Sequence, residues 1–366
     1  MAGTAQRPRE AVIILTAHGE DRETAAMLYR DTVTAFLERA RSGKVCLGVH
    51  CSSMSPQLVE LYGFAGLDFV IVGTEVEAID NRCMEDLLRA ANAARTVPIV
   101  KLRRPDPILV SETMNFGAAM LMVPHVTSGP QLEELVAATR FEPHGTRGEC
   151  PVGRYTGYGT IHLDDSRAAA NTTNSIIPII EDRAALDHLD EIAAVDGVDI
   201  IEVGPYDLSR SLGDAGQGYH SPAVMDAIDA VVAAARRRGK AVKAPLWLTA
   251  ETDSPSKMIS WQIDQLVERG VTLLYGIEVW VLAEFARTLM PLRRVRVRSD
   301  EESAAIEAAA EAASAGGRLP ARTPRVNSAK ANGAKASRAK ANGAKANGAK
   351  ANGADRPPAA PARSRR

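Results

Sequence analysis

Two short stretches of the sequence carry residue types that could do metal chemistry. In Ile176–Leu186 (IIPIIEDRAAL) an apolar run ends on Glu181, and Asp182 opens the helical pattern that follows. In Asp199–Gly213 (DIIEVGPYDLSRSLG) a second apolar run ends at Val203, Gly204-Pro205 makes a turn, and Asp207 follows. Glu181 and Asp207 are hard oxygen donors, and two carboxylates completed by water suit Mg²⁺ or Mn²⁺, with Co²⁺ a further candidate. Gly204 would let backbone N–H groups approach an anion closely, and with Pro205 it forms a candidate substrate-binding turn. Asp182 has the simpler reading of a helix N-cap.

Carboxylates at the ends of consecutive strands need a scaffold that brings strand ends together. Eight apolar runs are present: Val45–Val49, Phe69–Val72, Pro98–Leu102, Ala118–Val123, Ile176–Ile180, Ile200–Val203, Ala241–Ala244 and Val271–Tyr275. Helical periodicity separates them, as in Pro56–Tyr62, Met84–Ala94, Gln131–Thr139, Ala184–Ala194, Val224–Arg238 and Lys257–Arg269, and a helix over Ala25–Arg41 precedes them. Strands apolar on both faces and alternating with helices form parallel sheets. Eight units in roughly 250 residues close naturally into a (β/α)₈ TIM barrel. An open doubly wound sheet is the alternative, but no GxGxxG follows the first run. The fold class is therefore α/β: a barrel over residues 25–295, after an extension at 1–24 and before a tail at 296–366.

The tail differs in kind. Residues 329–353 are five tandem copies of a five-residue unit, AKANG or, once, AKASR, and between Gly316 and Arg366 thirteen Lys/Arg face the single acid Asp355. Since the whole chain has a net charge of −1, an acidic body precedes a basic tail. Gly and Asn in nearly every unit, and nothing apolar larger than Ala, predict disorder. Such a tail attracts nucleic acid or an acidic partner weakly, or merely keeps the chain soluble. No apolar run is long enough to span a membrane. The run Ala11–Leu15 is too short for an export signal, so a cytoplasmic location is expected. The four cysteines (Cys46, Cys51, Cys83, Cys150) lack zinc-site spacing and read as reduced thiols.

Taken together, four segments resemble the HpcH/HpaI aldolase group, relatives of citrate lyase β subunits. They are GVH-x₄-SPQLVELYGFAGLDFV from Gly48, PHVTSGPQLEELVAATRFEPHGTRG from Pro124, IIPIIED, and GVDIIEVGPYDLSRSLG. The resemblance covers about Ala25 to Leu289. It implies a metal-dependent barrel lyase, often hexameric, acting on pyruvate-like 2-oxo acids. The substrate would chelate a metal held by Glu181 and Asp207, which acts as a Lewis acid toward a metal-bound enolate.

The departures from the family's pattern are specific. Where the family's second strand ends D-x-E-H, this chain reads Gly73-Thr74-Glu75-Val76, so Val76 replaces the proton-relay His. The acidic partner of that His, placed in an L-D-x-G-A segment, falls on Asn115, and the Arg that supports the enolate oxygen falls on Lys101. Lys101 can still donate to an oxyanion, as a point charge instead of a fork. Glu75 is expected to hydrogen-bond metal-bound water near the substrate.

His50, at the end of the first strand, is the leading substitute base, ahead of His125; its alternative is a hydrogen-bonded strand-end residue. The long segment Phe141–Tyr158 contains His144, a turn residue, and Arg147, which could reach a substrate carboxylate or simply hold its loop closed. Lys243 is placed where the seventh strand ends, with Trp247 after it. A Schiff base on Lys101 or Lys243 is conceivable, although the retained metal pair argues against it. Three functions stay open at this point: a carbon–carbon lyase, a decarboxylase that needs no C3 base, and a non-catalytic metabolite-binding scaffold.

Overall fold

The computed structural model describes residues 19–214, 216–247 and 255–289, together with positions 304, 307, 308 and 311. The extension before residue 19 and the AKANG repeats, expected above to be disordered, lie outside the described residues.

Eight strands, β1 (Cys46–Cys51), β2 (Phe69–Gly73), β3 (Val97–Lys101), β4 (Met120–Val123), β5 (Ser175–Ile180), β6 (Ile200–Val203), β7 (Ala241–Pro245) and β8 (Leu273–Ile277), pair in sequence order into a closed barrel. Every pairing is parallel, β8 to β1 included. All strand C-termini thus meet at one end, the mouth.

The helices are α1 (Gly19–Arg41), α2 (Pro56–Phe64), α3 (Asn81–Ala93), α4 (Pro107–Asn115), α5 (Gly129–Ala137), α6 (Leu163–Thr173), α7 (Arg183–Asp187), α8 (Leu189–Ala194), α9 (Pro205–Ser211), α10 (Pro222–Arg237), α11 (Pro255–Arg269) and α12 (Glu278–Leu289). Their starts are written into the sequence. Ser55, Asp106, Ser128 and Ser221 each cap a helix by accepting from a backbone N–H, and proline occupies one of the first two positions of each. Proline loses nothing there, because that N–H has no partner inside the helix.

The apolar side chains divide into two clusters. One lies between the barrel wall and the outer helices. The other fills the barrel interior and continues into α1, whose Val33, Phe36, Leu37 and Ala40 close the N-terminal end. Phe36 packs on Phe69 with ring centroids 5.7 Å apart. Each such side chain stabilises the fold by ~1.5–3 kcal/mol relative to exposure, which fixes α1 as a plug.

Several boundaries differ from the sequence reading. α1 begins at Gly19, not Ala25. The expected single helix over Ala184–Ala194 is broken at His188 into α7 and α8. The periodicity over Pro107–Asn115 and Leu163–Thr173, passed over in the sequence, is helical. That last helix has a consequence for placement: the long segment joins α5 to α6, so it belongs to the N-terminal end of the barrel and not to the mouth.

Candidate active site at the barrel mouth

Glu181 follows β5 directly and is 5% exposed. The backbone N–H of His125, just past β4, donates to its Oε1 at 2.8 Å. A Cβ at Gly204 would sit 2.9 Å from Glu181 Cβ, so only glycine lets the β6–α9 turn close over this carboxylate. Gly204 thus makes room for Glu181. Its own N–H is committed to Ile180 O at 3.0 Å and does not serve an anion. The first amides of α9, after Pro205, are the donors left without intrahelical carbonyls. Asp207 stands in this first turn and is exposed.

Burial pushes the Glu181 carboxyl up to about 7, and the negative Asp207 adds to the shift; the His125 amide, the His125 ring and Lys101 pull the other way. A buried carboxylate beside a second one is a site short of positive charge, and a divalent cation fits it. Among the described residues no cluster of three or more His, Cys, Asp or Glu side chains could hold a metal. Glu181 and Asp207 could each give such a cation an oxygen ligand, and Mg²⁺ commonly leaves most of its positions to water.

This predicts a pH dependence. A carboxyl raised from 4.5 to about 7 contributes stability to the metal-free fold below its unfolded value, and that contribution is lost as pH rises through about 7. A cation binds only the ionised form. Added Mn²⁺ should therefore raise the melting temperature more at pH 8 than at pH 6. Equal increments at the two pH values would remove Glu181 from the ligand set.

The other side of the mouth is built on β1 to β3. Lys101 ends β3 and forms an ion pair with Glu75. Burial works against its charge, yet Glu75, Glu202 and Glu181 together hold its pKa above the usual lysine range. The Thr74 N–H and hydroxyl both donate to the Lys101 carbonyl at 2.9 Å, which pins the β2 loop to β3. Glu75 thus serves the Lys101 ammonium.

Beside this pair, His50 Nε2 lies 2.7 Å from Glu77 Oε1, with the two side chains 12% and 10% exposed. Burial opposes ionisation of Glu77, but the hydrogen bond and charge of His50 bring its pKa below the usual value. A Cβ on Gly73 would collide with Glu77 Oε2 and lie 2.8 Å from His50 Nε2. Glycine at position 73 is what lets this His–Glu pair sit over the end of β2. Glu77 gave no sequence signal, being one acid in a loop two residues beyond Glu75.

His125 is 55% exposed, and its Nδ1 is 3.2 Å from both Glu181 Oε1 and Asp182 Oδ2. Burial lowers its pKa, but Asp182 and Glu181 outweigh that and raise it. It braces the Glu181 carboxylate, and Asp182, at the N-cap position of α7, makes no side-chain capping bond.

Two expectations are corrected. Arg147 is 4% exposed and lies at the far end of the barrel, between Phe141 and Tyr155 and bonded to Asn115 Oδ1 at 3.0 Å. It holds its loop and reaches no substrate at the mouth of its own barrel. Asn115 ends α4, at the N-terminal pole, and Val76 is 81% exposed in the β2 loop. Lys243 is the third residue of β7, not its end; it is fully buried and ion-paired with Glu202 inside the barrel. Tyr275 OH donates to Glu202 Oε1 at 2.7 Å and completes that network. A Schiff base on Lys243 would need a route through the packed interior. The sequence signal missed here was an acid and a base in register on neighbouring apolar strands.

Aromatic residues wall the mouth after β6 to β8. Tyr206 stacks on Trp247 at 5.4 Å, and Trp280 meets Trp247 edge-on at 4.7 Å. Gln262 clamps the Trp247 backbone, accepting from its N–H and donating to its carbonyl, each at 2.6 Å. Glu278, 1% exposed, accepts from Ser53 N–H at 2.6 Å and Tyr62 OH at 2.7 Å, tying the start of α12 to the β1 loop.

Comparison with known proteins agrees with this geometry. The family described as HpcH/HpaI aldolase/citrate lyase matches residues 47–264. A 2-dehydro-3,6-dideoxy-6-sulfogluconate aldolase of Pseudomonas putida is 36% identical over 206 residues, covering 56% of this chain and 78% of its own. A 2-keto-3-deoxy-L-rhamnonate aldolase of Escherichia coli is 29% identical over 66% of this chain and 88% of its own. Among solved structures, the HpcH/HpaI aldolase of Desulfitobacterium hafniense superposes with a TM-score of 0.63 at 27% identity, over 71% of this chain and 96% of that one. The match in sequence and the superposed barrel place this chain in the HpcH/HpaI aldolase/citrate lyase family.

Proposed function

We propose that the protein is a divalent-metal-dependent carbon–carbon lyase of the aldolase type, cleaving a hydroxy-2-oxo acid into a pyruvate-like 2-oxo acid and an aldehyde. The carrying observation is the buried Glu181 carboxylate just past β5, on which the charges of Asp207 and Lys101 both act. Family membership supports aldolase-type lyase chemistry, and the aldolases similar to this chain act, by their names, on deoxy sugar acids that bear a keto group.

A cation held by Glu181 and Asp207 would polarise the keto group of the substrate. The amides opening α9 would receive the substrate carboxylate. His50, oriented by Glu77, takes the proton of the substrate hydroxyl as the C3–C4 bond breaks. The bonding electrons pass to the 2-oxo fragment, and the aldehyde leaves. Lys101 donates to the oxygen on which negative charge develops. The same His50 returns its proton to C3. The Tyr206–Trp247–Trp280 wall suits an aldehyde half with apolar surface.

The test is pyruvate release from a 2-keto-3-deoxy sugar acid with Mg²⁺, Mn²⁺ or Co²⁺, and its loss with a chelator. Carbon dioxide from oxaloacetate, with no cleavage of any hydroxy-oxo acid, would favour a decarboxylase and overturn the lyase reading.

Exposed apolar side chains on α2 (Leu61, 54%; Phe64, 74%) and α12 (Val281, 57%; Leu282, 50%) support a homo-oligomer. The solution mass decides it, and a monomer at micromolar concentration would count against it.

A further inference from the structure

A second cavity, of about 370 Å³, opens at the opposite pole from the mouth. It lies where α1, the end of α4, the start of β4, α6 and the α5–α6 segment converge, and Arg30, Arg147 and Arg154 line it. Its volume is in the range of small-metabolite pockets.

The three guanidinium groups are held in different ways. Arg147 is buried, with Phe141 and Tyr155 each 4.7 Å from its Cζ. Its Nε and Nη2 donate to Asn115 Oδ1 at 3.3 and 3.0 Å. Among the described residues no carboxylate lies within ion-pair distance of it. A buried cation without a counter-ion is costly, and burial pushes its pKa down to about 10. Arg154 donates to the Phe116 carbonyl at 3.1 Å and, with the Asn92 amide turned to satisfy both its ends, to Asn92 at 3.0 Å. Arg30 stands on α1, with Asp165 the acid that acts on it.

The neighbouring acids Glu149 and Asp164 are committed elsewhere, both to Arg167. Ser166, 1% exposed, also lines the cavity, and among the described residues its hydroxyl has no hydrogen-bond partner. Positive charge fixed by stacking, an unused hydroxyl and open volume therefore coincide at one place.

We propose that this cavity binds a small metabolite through an oxyanion group, a phosphate ester or a carboxylate, at a site separate from the catalytic mouth. Arginine is suited to this, since its planar fork matches both groups. The oxyanion supplies the counter-charge that Arg147 lacks, and Ser166 offers a neutral donor to the same group.

The test uses the full chain carrying Glu181→Gln, so that the mouth cannot hold a metal-linked anion. Inorganic phosphate and malonate are titrated by calorimetry at constant ionic strength, with chloride as the control. Both the Glu181→Gln protein and the wild type should bind one of the two anions. Preference for phosphate identifies a phosphate ester as the natural class, and preference for malonate a carboxylate. Adding Arg30→Glu, a part-exposed helix position whose change leaves the fold intact, should weaken binding by ~10-fold or more, the effect of losing a charge-assisted contact. Arg147→Lys keeps the charge but loses the fork and should also weaken it. Binding that vanishes with Glu181→Gln, is unchanged by Arg30→Glu, is matched by chloride, or is absent for both anions at millimolar concentration overturns the proposal.

Discussion

Glu181→Gln is expected to abolish divalent-cation binding and to lower kcat/KM by ~10³-fold, since Lewis-acid polarisation contributes several kcal/mol to such reactions. The substitution keeps the side-chain volume, and the amide oxygen can still accept from the His125 N–H that holds Glu181 Oε1 at 2.8 Å. The fold should survive. Indeed, an amide has no ionisation to suppress, so the metal-free variant should melt no lower than the wild type at pH 8. Asp207→Asn should have a similar effect on cation binding and activity, at an exposed position where stability is not at stake. Mn²⁺ titration calorimetry with steady-state kinetics decides the matter. Undiminished Mn²⁺ affinity in both variants would mean the ligands lie elsewhere.

The second large effect is expected at the His–Glu pair. Positioned proton transfer contributes ~10²–10⁴-fold, and His50→Ala should remove that from kcat with little change in KM. Glu77→Gln retains a hydrogen-bonding partner for His50 but not its charge, so a smaller loss is expected. Gly73→Ala is the more telling variant: the added methyl group occupies the space where Glu77 Oε2 and His50 Nε2 meet. It should depress kcat toward the His50→Ala level without touching any reacting atom. Full activity in both Gly73→Ala and Glu77→Gln would show that another group moves the proton.

Much of this architecture was legible because barrel strands are apolar on both faces and their helices begin with Ser or Asp caps and proline. The two candidate carboxylates stood out for a related reason. Glu181 directly follows one such run, and Asp207 comes four residues after another, behind a glycine–proline turn. Placement within the barrel was harder to read. The pole to which the segment holding Arg147 belongs was not legible, because the helix over Leu163–Thr173, rich in Ala and Thr, has weak periodicity. Without that helix the segment cannot be assigned to a pole. The His50–Glu77 contact depends on how one loop folds back over Gly73, and spacing along the chain carries no information about that. Lys243 was read as a strand end because charge inside a barrel is uncommon. Its partner Glu202 lies in a different strand, so the compensation is invisible until strands are paired.

The Lys243–Glu202 pair, with Tyr275 donating to it, lies at the centre of the barrel. Breaking a buried pair by removing one partner typically costs ~3–5 kcal/mol, whereas replacing both with packed apolar residues is often neutral or better. The two positions are therefore linked in descent: a lineage can change them together, but each single step passes through a crippled intermediate. The barrel's centre is held in place by the difficulty of the route away from it, so the ion pair can outlast any benefit it brings. Meanwhile, loop residues such as Val76, with no buried partner to strand, remain free to vary one at a time.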